Sequence, residues 1–102
     1  MYQMTDERRI RVAELCRRFR VRRLDLFGSA AREDFTESRS DVDFLVEFLD
    51  EGMGPGLDAY FGLREGLEAL LGRPIDLVMP EAVTNPYVRA DIDRHRTTVY
   101  AA

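Results

Sequence analysis

Residues 26–48, LFGSAAREDFTESRSDVDFLVEF, are the stretch that decides how this chain folds. Leu24 to Phe27 reads as a short strand ending at Gly28. Asp41 to Phe48 reads as the clearest strand of the chain, with Val42, Phe44, Val46 and Phe48 alternating against Asp41, Asp43, Leu45 and Glu47. Between the two, a brief helical turn is expected over Ser29 to Glu33, then a polar loop from Asp34 to Ser40. Strand side chains alternate, so Asp41 and Asp43 leave one face together while Val42 enters the core.

Working outward, Asp6 to about Phe19 reads as an amphipathic helix. Val12, Leu15, Cys16 and Phe19 recur at spacings of three and four, and arginines fill the other faces. On the far side, a loop from Leu49 to Gly56 contains GMGPG. Leu57 to Leu71 follows as a helix, with Tyr60, Phe61, Leu63, Leu67, Leu70 and Leu71 on its inner face and Gly72 as terminator. Ile75 to Met79 is a third strand, between Pro74 and Pro80. Asn85-Pro86 pairs a cap with a first-turn proline and opens a helix to about Arg94. Thr97 to Tyr100 adds an edge strand. This order of elements predicts an α+β fold, a small mixed β-sheet with helices packed on it, and 102 residues imply a single domain.

Hydrophobic residues form 45% of the chain and charged residues 33%, which suits a packed core rather than general disorder. No segment reaches the roughly 20 consecutive apolar residues of a membrane span. The N-terminal MYQMTDERR lacks the apolar run of a signal peptide. A lone cysteine, Cys16, excludes an internal disulfide and suits a reducing cytoplasm; its helical spacing among apolar residues marks a buried thiol. The net charge of −4 is unevenly spread. Residues 1–23 carry eight arginines against Asp6, Glu7 and Glu14, whereas the remainder is strongly acidic. The arginines read as a solvated helix face, or else as a surface for RNA or an acidic partner. Net negative charge and the lack of interleaved aromatics count against general nucleic-acid binding.

The chemistry rests on carboxylates. Asp41 and Asp43, side by side on a rigid strand, repel each other unless a cation lies between them, and hard oxygen ligands of this kind suit Mg²⁺ or Mn²⁺. Asp76 is the only charged residue in its strand and alternates with Ile75 and Leu77, so it faces away from the side they bury. If its strand lies beside Asp41–Phe48, all three share one patch, able to hold two metals roughly 4 Å apart for in-line phosphoryl displacement. Gly28 lets backbone approach a phosphate, and Ser29 offers a hydroxyl and an N–H at the start of a helical turn. Arg32, one turn later, can neutralise phosphate charge. Ser40, next to the carboxylate pair, completes the candidate nucleotide-binding set. Rival motifs fail: Leu45 and Val46 occupy the places where an EF-hand needs a further ligand and then glycine, the chain has no lysine for a P-loop, and GMGPG meets Leu57 where a dinucleotide fingerprint needs glycine. The single histidine, His95, supports neither a zinc site nor a triad.

With these residues in place, residues 26–48 resemble the signature of the nucleotidyltransferase superfamily related to DNA polymerase beta: Gly-Ser, a spacer, then Asp-x-Asp on a strand. The short length, the leading helix and the late aspartate in RPIDLV look most like the minimal nucleotidyltransferase group, MNT. The spacer from Ser29 to Asp41 is slightly longer than usual, and Glu33 stands where many relatives have glycine. The resemblance implies a polymerase beta-like fold, a triphosphate on Gly28-Ser29, and metals on Asp41, Asp43 and Asp76, the last also activating the acceptor hydroxyl. It further implies AMP transfer from ATP to a tyrosine of a partner HEPN-domain toxin, with the chain acting as its antitoxin. The competing reading is an inactive binding module that neutralises its partner by contact alone.

Overall fold

A computed structural model describes residues 4–28, 42–49 and 57–102. The expected turn after Ser29, the loop to Ser40 and the GMGPG segment lie outside the described residues. Helix α1, Asp6–Arg18, starts where the Thr5 hydroxyl accepts the Arg8 N–H at 3.3 Å. Asp6 and Glu7 in its first turn, with Arg17 and Arg18 in its last, complement the helix dipole. Arg20, at φ 61°, turns the chain into strand β1, Val21–Phe27. β1 is longer than the run Leu24 to Phe27 that apolar content suggests. Its first residues continue an arginine-rich tract, and a bulge between Val21 and Arg23 lets Val21, Leu24 and Leu26 all face inward despite their uneven spacing.

Strand β2 spans Val42–Phe48, helix α2 Leu57–Leu71 and strand β3 Ile75–Val78. A 3₁₀ turn at Pro80–Ala82 leads to helix α3, Pro86–His95, and to strand β4, Thr97–Ala101. Gly72, at φ 68°, ends α2, its N–H bonded to the Glu68 carbonyl at 2.9 Å. Asn85 caps α3, its side-chain oxygen accepting from the Tyr87 and Val88 amides at 2.9 and 3.3 Å, with Pro86 in the first turn as expected. The sheet order is β3-β2-β1-β4, with β1 antiparallel to both neighbours and β2 parallel to β3. This is the mixed sheet expected, with β4 on an edge.

One face of the sheet carries the core. Val12 and Cys16 of α1 and Leu63, Leu67 and Leu71 of α2 pack against Leu24, Leu26, Val42, Phe44, Val46, Ile75 and Leu77. The two helices meet closely because α2 offers Gly62 and Gly66 to Phe19 and Leu15; a Cβ on Gly62 would stand 2.6 Å from the Phe19 ring. Phe61 is the exception to the expected inner face of α2. It is 47% exposed, since it lies two residues from Leu63, about 200° around the helix. The Tyr60 hydroxyl donates to the Leu77 carbonyl and ties α2 to β3.

The opposite face of the sheet is the polar one. Leu45 and Ile92 are buried but stand outside the main core cluster. Together with Pro80, Val83 and Arg96 they line a small cleft that places α3 and the 3₁₀ turn over the middle of this second face. The rest of it carries Asp25, Asp43 and Asp76 together with the half-buried Phe27 and Val78.

Candidate functional site

The parallel pairing of β2 with β3 sets Asp43 directly across from Asp76, with Val42 across from Ile75 on one side and Phe44 across from Leu77 on the other. Neighbouring strands run about 4.8 Å apart, so the two carboxylates stand side by side. Val42, Phe44, Ile75 and Leu77 are all buried, and the alternation that buries them turns both aspartates to the second face. Asp43 is half-buried and Asp76 exposed. The condition under which Asp43 and Asp76 share one patch, that the third strand lies beside the second, is met. Pro74 sharpens the juxtaposition, its carbonyl accepting the Val42 N–H at 3.2 Å and aligning the two strand starts.

On the other side of β2, Phe27 pairs with Asp43, and Gly28 follows at φ 64°. A Cβ added to Gly28 would stand 2.5 Å from Asp43 Oδ2. The glycine is needed twice over: for a left-handed backbone, and for the space the carboxylate occupies. Gly28, Asp43 and Asp76 thus form one continuous strip across three strands. Ser29, Arg32, Ser40 and Asp41 lie outside the described residues.

Such a strip matches the chemistry of a hard divalent cation: adjacent carboxylates, that of Asp43 half-buried and seated against the Gly28 backbone. Among the described residues, no group of three histidine, cysteine or acidic side chains converges on a point. The described pair, Asp43 and Asp76, is the part of the expected trio that the structure brings together.

A further carboxylate on this face escapes a reading of the sequence. Asp25 on β1 is wholly buried. Its Oδ1 accepts from Arg23 Nε at 3.0 Å and its Oδ2 from Arg96 Nε at 2.5 Å. Arg23 reaches on to the Thr98 hydroxyl, and Arg96 to Asp93, at 3.0 and 3.2 Å. Burial lowers the affinity of the Arg96 guanidinium for its proton, but the hydrogen bonds and charges of Asp25 and Asp93 together outweigh that, and its pKa is raised. The signal was present: Asp25 alternates with Leu24 and Leu26 just as Asp76 does with Ile75 and Leu77.

The remaining candidates stand elsewhere. Cys16 is buried in the core, and desolvation pushes its thiol up to about 12, so it is neither nucleophile nor ligand at neutral pH. His95 is exposed at the end of α3 beside Asp91, 3.5 Å from its carboxylate. A cleft of about 500 Å³ opens between α1 and α2, lined in part by Arg11, Arg18, Leu15 and Leu70. It lies on the helical side, away from the carboxylates, and holds no paired acids. Among the described residues, no helix is long and apolar enough to cross a membrane.

Comparison with known proteins bears on the family and the fold. Residues 9–99 match the family model described as nucleotidyltransferase domain. The protein adenylyltransferase MntA of Thermococcus cleftensis is 46% identical over 70 residues, covering 69% of this chain and 67% of that one. A solved structure of a minimal nucleotidyltransferase superposes with a TM-score of 0.72 at 36% identity, covering 89% of this chain and 88% of the other. A chain from the complex of the tri-AMPylated Shewanella oneidensis HEPN toxin with its MNT antitoxin shares the fold, with a TM-score of 0.58 at 18% identity, over 92% of this chain and 70% of that one.

Proposed function

The chain belongs to the nucleotidyltransferase domain family, and from that premise we propose that residues 1–102 act as one minimal domain transferring AMP from ATP to a protein hydroxyl. The acceptor is a tyrosine of a HEPN-domain toxin, which the chain restrains as its antitoxin in the cytoplasm. The observation that carries the reading is the in-register pairing of Asp43 with Asp76 beside Gly28. Support for the acceptor comes from the adenylyltransferase relative and from the AMPylated HEPN toxin bound to a chain of the same fold.

Asp43 and Asp76, with Asp41, would hold Mg²⁺. When bound, the ion supplies positive charge against the triphosphate and the developing charge of phosphoryl transfer. Gly28 leaves its backbone open to a phosphate, and Ser29, Arg32 and Ser40 add donors to the triphosphate oxygens. Asp76, exposed at the rim, accepts the proton of the incoming hydroxyl as its oxygen attacks the α-phosphorus and pyrophosphate leaves. Water is a poor competitor, because the gain from holding an acceptor in line applies only to a docked hydroxyl.

Intact-mass spectrometry of the chain mixed with a HEPN-domain partner, ATP and Mg²⁺ tests this. The partner should gain about 329 Da per transfer, the mass of an AMP group left by phosphoryl-transfer chemistry. Asp43→Asn should abolish the gain while leaving the fold intact. A partner that is bound and inhibited by the wild type and by Asp43→Asn alike, with no mass added, would establish the contact-only module instead.

A further inference from the structure

Asp25 belongs to no step described above, yet it is the only charged side chain buried among the described residues. It pairs across β1 and β2 with Leu45, two residues from Asp43 on the same face. Diagonal neighbours of this kind stand about 7–8 Å apart. A buried carboxylate so close to a cation-binding strip adds to its negative field unless it is balanced. The balance comes from Arg96, the residue that caps the C-terminus of α3, and from the half-exposed Arg23. Arg96 therefore joins α3 to β1 and, with Arg23, offsets the charge of Asp25.

We propose that Asp25 and Arg96 are a positioning pair for the carboxylate strip: they seat α3 over the second face of the sheet and set the charge that a divalent cation on Asp43 and Asp76 experiences. The proposal rests on the cation-binding reading of that strip. Its signature is a pair of opposite effects. Asp25→Asn keeps the shape but removes a negative charge, leaving Arg96 and Arg23 to repel the cation. Arg96→Gln removes a positive charge, while Asp25 keeps its bond to Arg23. A unit charge acting on a divalent ion at about 8 Å in a water-like medium changes affinity roughly fivefold. A purely structural pair would move both variants in the same direction, since both loosen α3.

The experiment is a titration with Mn²⁺ alone, followed by electron paramagnetic resonance, with thermal melting run on the same samples. Mn²⁺ binding should weaken about fivefold in Asp25→Asn and tighten by a similar factor in Arg96→Gln. The double variant should return to within about twofold of the wild type, because the two charges are removed together. Arg96→Lys, which keeps the charge, should bind Mn²⁺ as the wild type does. Should Asp25→Asn fail to fold, the contrast of Arg96→Gln with Arg96→Lys carries the same information. Shifts in one direction, or none, in the face of normal wild-type binding that Asp43→Asn abolishes, overturn this proposal alone. A wild type that binds no Mn²⁺ overturns the carboxylate reading and the proposal with it.

Discussion

Gly28 and Gly72 offer a controlled perturbation of the site. Both adopt a left-handed backbone, at φ 64° and 68°. A Cβ on Gly72 would meet nothing within 4 Å, whereas one on Gly28 would press to 2.5 Å from Asp43 Oδ2 and 3.5 Å from its Cγ. Alanine at either position costs about 1–2 kcal/mol for the left-handed conformation. The stiffer unfolded chain offsets part of that equally in both variants. Gly28→Ala must also turn the Asp43 carboxylate aside, and a side chain held off its rotamer costs about 0.5–1.5 kcal/mol. Gly72→Ala should therefore lose about 1 kcal/mol, or roughly 4–8 °C in Tm for a domain of this size. Gly28→Ala should lose about 1.5–2.5 kcal/mol, or roughly 6–20 °C. Thermal melts followed by circular dichroism give these values, and AMP transfer measured alongside separates site from scaffold. Gly72→Ala should keep its transfer activity and Gly28→Ala should lose it. Equal melting losses, with transfer intact in Gly28→Ala, would refute the placement of Gly28 against Asp43.

Two further outcomes are expected. Burial holds the Cys16 thiol at about 12 in the fold against an ordinary 9.0, so the unfolded chain ionises first. Stability is then fully present below pH 9 and falls as pH rises from there towards 12, which denaturant titrations at pH 8, 9.5 and 10.5 would show; a Cys16→Ala variant that loses stability with the same slope would contradict it. At the α1–α2 contact, Gly62→Ala forces a methyl to 2.6 Å from the Phe19 ring, and overpacking of about 1–3 kcal/mol should exceed the roughly 1 kcal/mol gained in helix propensity. Gly66→Ala meets the terminal methyls of Leu15 at 2.8 Å, which can rotate away, so urea unfolding should find it closer to wild type; the reverse order would mean the helices adjust as a whole.

Much of this protein was legible in local pattern. The cap at Asn85, the stop at Gly72 and the alternation through Val42–Phe48 depend on residues a few positions apart, which is the range over which hydrogen bonding and side-chain direction are set. That Asp43 and Asp76 would each face away from the core followed from the same alternation. What alternation cannot reach is which residue lies opposite which. The register that sets Asp43 against Asp76, the bulge that turns Val21 inward, and the ring of Phe19 against Gly62 each join segments brought together only by folding. The burial of Asp25 belongs with them. In the sequence it is an aspartate between two leucines; its cover is Arg96, 71 residues away, delivered by a helix whose own residues say nothing of the sheet face it will occupy. The sequence by itself therefore determined the order of the elements, most of their inner and outer faces, and that Asp43 and Asp76 turn away from the core. Only the tertiary structure decided the strand register, the close helix contact and the charge balance behind the carboxylates, because those depend on contacts between residues far apart in the chain.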